Sequence, residues 1–288
     1  MRKARVMKLI SNQYSVLIDG KIVLAKPMGK LRLRHSPIVG DWVSVEQLEE
    51  HWVIQRVLDR DNELTRPTIA NVDQALVVTS LFRPDFSATL LDRLLFLIMV
   101  EHIKPVICIT KCDLVSEDDP VFEIIDEYVK AGYQVVKTGL NYDMSEIKEI
   151  FRDKITVLTG QSGAGKSALL NRLDASFQIR TQETSKALNR GKHTTRHVEL
   201  HPVANGWVAD TPGFSSLDFS TLDKRMLSEV ILDFKDYVFK CKFRNCIHIN
   251  EPGCAVKEAV ENKEISKIRY NNYIDVCELI DKGDQVWL

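Results

Sequence analysis

Between Met1 and about Asn62, apolar and polar residues alternate in five short runs, RVMKLI, YSVLID, KIVLAK, DWVSVE and HWVIQRVL, separated by turns containing Gly, Asn, Pro and Asp. A period of two turns one face of each run toward a core, and five such strands in about sixty residues predict a small Greek-key barrel of the oligonucleotide-binding type. From Arg66 the pattern changes. ALVVTS and PVICIT are continuous apolar runs, as buried parallel strands require, and TLLDRLLFLIMVEH between them carries apolar residues at helical spacing. Beyond Asp223 the chain reads as helical and charged, ending in VKEAVENKEISKIRYNNYIDVCELI. The expected organisation is therefore a barrel over 1–65, an α/β nucleotide domain over 66–222 and a mainly helical domain over 223–288.

Composition adds a bound and a bias. With 288 residues and 44% hydrophobic content the chain can bury more than one core, and no apolar run is long enough to span a bilayer, so a cytoplasmic, multi-domain protein without a membrane partner is expected; a monomer is the expected state. A net charge of −1 argues against a general nucleic-acid binder, but Met1 to Arg34 holds nine Lys and Arg against the single acid Asp19. Basic charge gathered at one end is the footprint of phosphate-backbone contact. Arg32, Arg34 and His35, in the loop PMGKLRLRHSP, are the RNA-contact candidates. Tyr14, Trp42 and Trp52 read either as stacking platforms or as core and edge residues.

The chemistry begins at Gly160 to Ala168. GQSGAGKS follows the apolar run Ile155 to Leu158 and precedes the helical stretch Ala168 to Leu173, the context a phosphate loop needs. Gly160, Gln161, Ser162, Gly163, Ala164 and Gly165 would turn backbone N–H groups toward the phosphates. Lys166 would reach the β and γ phosphates and the Ser167 hydroxyl would ligate Mg²⁺. TKCDL, Thr110 to Leu114, follows the strand PVICIT and supplies the base reader. Asp113 can accept from the guanine N1–H and exocyclic amine while the Lys111 stem lies along the purine, which selects GTP over ATP. DTPG after GWVAD reads as the γ-phosphate sensor: Asp210 would hold Mg²⁺ through water and the Gly213 N–H would touch the γ-phosphate. Phe214 stands where many GTPases place a water-orienting glutamine, so another residue or a partner must supply that group. Between the two motifs runs the polar stretch Thr181 to His197 with GKHTT, a switch in which Thr194 or Thr195 would close on Mg²⁺ and His193 would contact the attacking water.

Cys241, Cys246, His248 and Cys254 form Cys-x4-Cys-x-His-x5-Cys, three thiolates and one imidazole. Such a set completes a tetrahedral Zn²⁺ shell with no open position, and so predicts one structural zinc. The remaining cysteines, Cys108, Cys112 and Cys277, lie in apolar or helical contexts, which argues against a disulfide framework.

Motif order carries further information. TKCD comes before the phosphate loop and DTPG last, whereas an ordinary GTPase has its base reader after the other two; one spatial site survives that order only if the chain is circularly permuted. With RPTIANVD at Arg66 to Asp73, TKCDL, GQSGAGKS, GKHTT, DTPGF and the cysteine-histidine cluster, the sequence resembles the circularly permuted, small-subunit-dependent GTPases called RsgA, also known as YjeQ or YloQ. It departs at Lys137 to Gly139, where KTG replaces the usual Ser-Ala pair, leaving Thr138 and Gly139 as the base-contact candidates there. The resemblance implies a GTP hydrolase that binds the small ribosomal subunit and its rRNA, acts in late maturation of that subunit and leaves on hydrolysis to GDP. Two alternatives stay open: an RNA-binding module with a nucleotide switch, and a P-loop phosphotransferase.

Overall fold

The computed structural model describes residues 1–10, 13–29, 36–49, 51–65, 67–175, 177, 198–209, 216–220, 222–283 and 285–287. The chain divides into two compact units, Met1–Gln74 with Ser145–Leu158 and Ser167–Gly213, and Ala75–Met144 with Thr159–Lys166 and Phe214–Leu288. No helix among the described residues is long and apolar enough to cross a membrane.

All five alternating runs at the amino terminus are strands: β1 (Arg2–Ile10), β2 (Gln13–Ile18), β3 (Lys21–Pro27), β4 (Trp42–Leu48) and β5 (His51–Val57). They close as a barrel in the order β1-β2-β3-β5-β4, with β3 and β5 parallel. Alternation sends Ala4, Val6, Tyr14, Val16, Ile18, Val43, Val45 and Ile54 inward as one core, and Trp52 packs partly buried against it. Tyr14 is thus a core residue. Trp42 is a cation platform, its ring lying 4.1 Å from both the Lys3 ammonium and the Arg5 guanidinium.

The motif RPTIANVD contributes a joint. The hairpin of β6 (Glu63–Thr65) and β7 (Thr68–Ala70) lies beside the barrel. There the buried Asn71 donates to the Gly40 carbonyl at 3.1 Å and accepts from the Asp61 N–H at 2.9 Å. The fully buried Asp41 carboxylate takes two Arg60 hydrogen bonds, at 2.7 and 2.8 Å, and the Ile38 N–H at 2.8 Å. Asp73 accepts the Ile155 N–H at 2.6 Å.

The rest of the chain runs β8 (Gln74–Ser80), α1 (Ala88–Val100), β9 (Lys104–Thr110), α2 (Val121–Lys130), β10 (Gln134–Lys137), α3 (Ser145–Phe151), β11 (Ile155–Thr159), α4 (Lys166–Leu173), β12 (Leu200–Val203), β13 (Gly206–Ala209), β14 (Ser216–Asp218), α5 (Lys224–Val230), α6 (Ala255–Glu261), α7 (Lys267–Lys282) and β15 (Gln285–Trp287). In the first unit β11 pairs in parallel with β13, which pairs antiparallel with β12. In the second, β9 lies between β8 and β10 and pairs in parallel with β10.

The carboxy-terminal helix α7 packs on α1 through a buried polar network. Arg269 is 2% exposed, sits between the Tyr128 and Tyr133 rings and donates to Asp233 at 2.7 Å. Asn272 donates to Asp92 at 2.6 Å and accepts from Thr89 at 3.0 Å. Burial pushes the Asp92 carboxyl up to about 6, against the pull of Arg269. A carboxyl raised above its unfolded value binds more protons in the native state, so its stabilising contribution is full at low pH and declines from about pH 4 to about pH 6. The expected cost above that window is about 3 kcal/mol. Denaturant unfolding of the parent and of Asp92→Asn across this range should give curves that diverge by about that amount, the variant lacking this decline.

Candidate nucleotide and metal sites

The loop Gly160 to Gly165 leaves β11 and delivers Lys166 to the start of α4. Gly160 has φ 128°, and a Cβ there would stand 1.9 Å from the Val78 carbonyl oxygen, so only glycine lets the loop pass β8. The Lys166 ammonium folds back into the loop and donates to the carbonyls of Gly160 at 2.5 Å and Gln161 at 2.9 Å. Partial burial lowers its pKa from the ordinary lysine value.

The TKCD turn is bound directly to this loop. The Thr110 hydroxyl, at the end of β9, donates to the Ala164 carbonyl at 2.6 Å and lies 3.2 Å from that of Thr79. Lys111, in left-handed backbone at φ 59°, extends its ammonium to the carbonyls of Gly163 at 3.0 Å, Phe82 at 2.8 Å and Arg83 at 2.5 Å. Motifs some fifty residues apart in sequence are thereby closed around one region. Phe82 and Arg83 were not anticipated, because their contribution is backbone carbonyl oxygen, which carries no side-chain signature.

Asp113 is the middle residue of the short 3-10 turn Cys112–Leu114 and accepts the Leu140 N–H at 3.0 Å through Oδ1. A Cβ at Gly139 would stand 2.2 Å from that oxygen. The KTG segment therefore does lie against Asp113, and glycine at 139 is what allows so close an approach. Thr138 is buried and paired through its backbone, its N–H donating to Ile109 at 2.7 Å and its carbonyl accepting Cys112 N–H at 3.1 Å. Leu114 is 54% exposed beside this turn. Asp113→Asn should weaken GTP binding by on the order of 2–4 kcal/mol without loss of fold, measured by titration with a fluorescent GTP analogue. Equal affinity of the parent for GTP and ATP would contradict the base assignment.

His193, Thr194, Thr195, Asp210, Gly213 and Phe214 lie outside the described residues, as do Arg32, Arg34 and His35.

The second cluster is a knuckle between Tyr237 and α6. Cys241, Cys246, His248 and Cys254 bring their ligand atoms within 4.8 Å of one another. His248 Nδ1 is 3.5 Å from Cys241 Sγ and 3.4 Å from Cys254 Sγ, and the two sulfurs are 4.0 Å apart. A tetrahedral zinc with ordinary bond lengths sets sulfur–sulfur edges of about 3.8 Å and sulfur–nitrogen edges of about 3.5 Å, so the donor set fits that ion. Burial and the neighbouring thiols push the Cys246 thiol up, so its thiolate would be favoured by a cation held among these groups. Burial lowers the His248 pKa, favouring the neutral imidazole a metal requires. The Phe234 ring meets the imidazole edge-on at 5.5 Å, while Tyr270 and Tyr273 donate to the His248 and Ile247 carbonyls at 2.7 and 2.5 Å. Those two tyrosines fasten the knuckle to α7.

The family model described as RsgA GTPase matches residues 57–220, more than half of the chain, and that of the RsgA N-terminal domain matches residues 3–52. The chain belongs to the RsgA family. Within it, the small ribosomal subunit biogenesis GTPase RsgA 2 of Oceanobacillus iheyensis is 46% identical over 286 residues, covering 97% of this chain and 98% of its own. The RsgA of Pediococcus pentosaceus is 44% identical over 288 residues, covering 97% and 93%. Among solved structures, YloQ, described as a circularly permuted GTPase, superposes with a TM-score of 0.85 at 37% identity and covers 99% of this chain and 96% of its own. YjeQ from Thermotoga maritima gives 0.83 at 36%, covering 97% and 98%. RsgA membership makes this chain a GTPase, with a closed amino-terminal barrel, a central domain that matches circularly permuted GTPase structures, and carboxy-terminal helices beside a cysteine-histidine cluster that could hold zinc.

Proposed function

We propose that this RsgA-family GTPase acts on the small ribosomal subunit in its late maturation, hydrolysing GTP to GDP faster on the subunit and using that step to time its departure. The observation that carries the reading is the tie between base reader and phosphate loop, Thr110 to Ala164 and Lys111 to Gly163, in a chain whose motifs run in permuted order. In this reading Lys166 neutralises the β and γ phosphates, the 160–168 loop cradles them, and Thr110, Lys111, Asp113 and Leu114 form the guanine side with Thr138 and Gly139. Ser167, Thr195 and Asp210 hold Mg²⁺, which would neutralise developing phosphate charge. His193 with Thr194 and Gly213 completes the switch. Cys241, Cys246, His248 and Cys254 hold one structural zinc. Residues 1–65 serve as the rRNA-binding barrel, with Arg32, Arg34 and His35 in contact, 66–222 as the GTPase domain and 223–288 as the zinc-binding domain of a cytoplasmic monomer.

Phosphate release with and without purified small subunits tests this reading. Subunits should raise the rate at least roughly tenfold, about 1.4 kcal/mol of barrier. Equal rates would leave a self-contained enzyme, and binding without turnover in either state would leave a nucleotide switch.

A further inference from the structure

The segment between β8 and α1 carries a cation that the nucleotide motifs do not account for. Ser80 to Ser87 reads SLFRPDFS, and its first half is pinned from three sides. The Leu81 N–H donates to the Thr110 carbonyl at 3.2 Å, the Phe82 N–H to the Ser80 hydroxyl at 3.1 Å, and the Lys111 ammonium to the Phe82 and Arg83 carbonyls. That same ammonium reaches the Gly163 carbonyl at 3.0 Å, so one cation bridges the backbone of Arg83 and the middle of the 160–165 loop. Contact continues one residue on, where a Cβ placed on Gly163 would lie 3.4 Å from Pro84 Cδ. Arg83 itself is held at φ 40°, left-handed backbone that residues other than glycine rarely adopt and that recurs at ligand clamps. The cations at this rim are unevenly committed. Lys111 and Lys166 both turn their ammonium groups onto backbone carbonyls. The Arg83 side chain is exposed and has no carboxylate partner among the described residues; its guanidinium rests over the Phe82 ring, 5.1 Å from the centroid. Such a stack on an exposed ring is weaker than a bidentate guanidinium–phosphate pair, so the side chain can leave Phe82 for a phosphate.

We infer that Arg83 is a further nucleotide-binding residue, its guanidinium fork closing on the β-phosphate of bound GTP or GDP. The inference rests on the proposed seating of the phosphates on the 160–168 loop and adds to it a contact outside every motif of the sequence. Backbone N–H groups of such a loop cradle the α and β phosphates, and Arg83 stands beside its middle, whereas Lys166 at its end serves the β and γ. A planar fork matches two phosphate oxygens at once, which an ammonium does not. Because the β-phosphate survives hydrolysis, Arg83 holds product as well as substrate and slows the release of GDP.

The test titrates the full chain, in excess Mg²⁺, with methylanthraniloyl derivatives of GTP, GDP and GMP, and follows GDP release by stopped-flow chase. Arg83→Ala should weaken GTP and GDP alike by about three- to tenfold, the lower range for a charged contact open to water, and accelerate GDP release by a similar factor. Binding of GMP, which lacks a β-phosphate, should be unchanged. Arg83→Lys should recover part of the loss, since it keeps the charge without the fork. Phe82→Leu removes the ring beneath the guanidinium and should leave both affinities within about twofold of the parent. Parent-like GDP binding by Arg83→Ala overturns the inference, as does an equal loss on GMP or an equal loss in Phe82→Leu. Lys166→Ala separates this result from the reading beneath it. If Lys166→Ala weakens GDP binding and Arg83→Ala does not, Arg83 alone leaves the site; if neither change weakens it, the seating of the phosphates on the 160–168 loop falls as well.

Discussion

Lys166→Ala should reduce GTP hydrolysis by at least roughly 10²–10³-fold, both alone and with small subunits, as loss of a preorganised charge at a phosphoryl-transfer centre does. In the structure this ammonium is the loop's own cation, bonded to the Gly160 and Gln161 carbonyls. Its partial burial lowers its pKa and places it among polar backbone groups. Because Lys166 is the first residue of α4, alanine there is compatible with the helix, and thermal unfolding should change little. Phosphate release at saturating GTP checks the rate, and parent-like turnover would remove the 160–168 loop from the reaction.

Cys254→Ser should abolish stoichiometric zinc and unfold the knuckle. Structural zinc contributes about 10–16 kcal/mol of apparent folding free energy in small zinc-binding peptides near neutral pH, and one lost thiolate forfeits much of it. Cys254 precedes α6, and the knuckle carbonyls of Ile247 and His248 receive the hydroxyls of Tyr273 and Tyr270 on α7. Hydrogen exchange should therefore accelerate through 237–261 first and at α7 less, since α7 keeps its own network with Asp92, Asp233 and Thr89. Elemental analysis finding no zinc in parent protein purified without chelators would defeat the assignment.

The amino-terminal strands were legible because each is half-buried, so that alternation in YSVLID or DWVSVE is the direct image of one wet and one dry face. Continuous burial made β8, β9 and α1 equally plain. The four-residue strands β10 and β12 are too short for a period to register. Arg269 looks like any charged residue of a solvent-facing helix; its burial depends on two tyrosines and two carboxylates brought from α1, α2 and the segments that follow α2 and α5.

By itself, then, the amino-acid sequence determined the local motifs: GQSGAGKS after an apolar strand, TKCD, a Cys3His donor set and a permuted order, because each depends on residue type and spacing along the chain. Tertiary structure decided which groups complete them. Thr110 turned out to staple the TKCD turn to the 160–168 loop, Lys111 to grip three backbone carbonyls, and Gly139 to clear room for Asp113. Carbonyl oxygens are the same in every residue, and a missing Cβ matters only where another atom already stands, so neither has any trace in a sequence until the chain has folded back on itself.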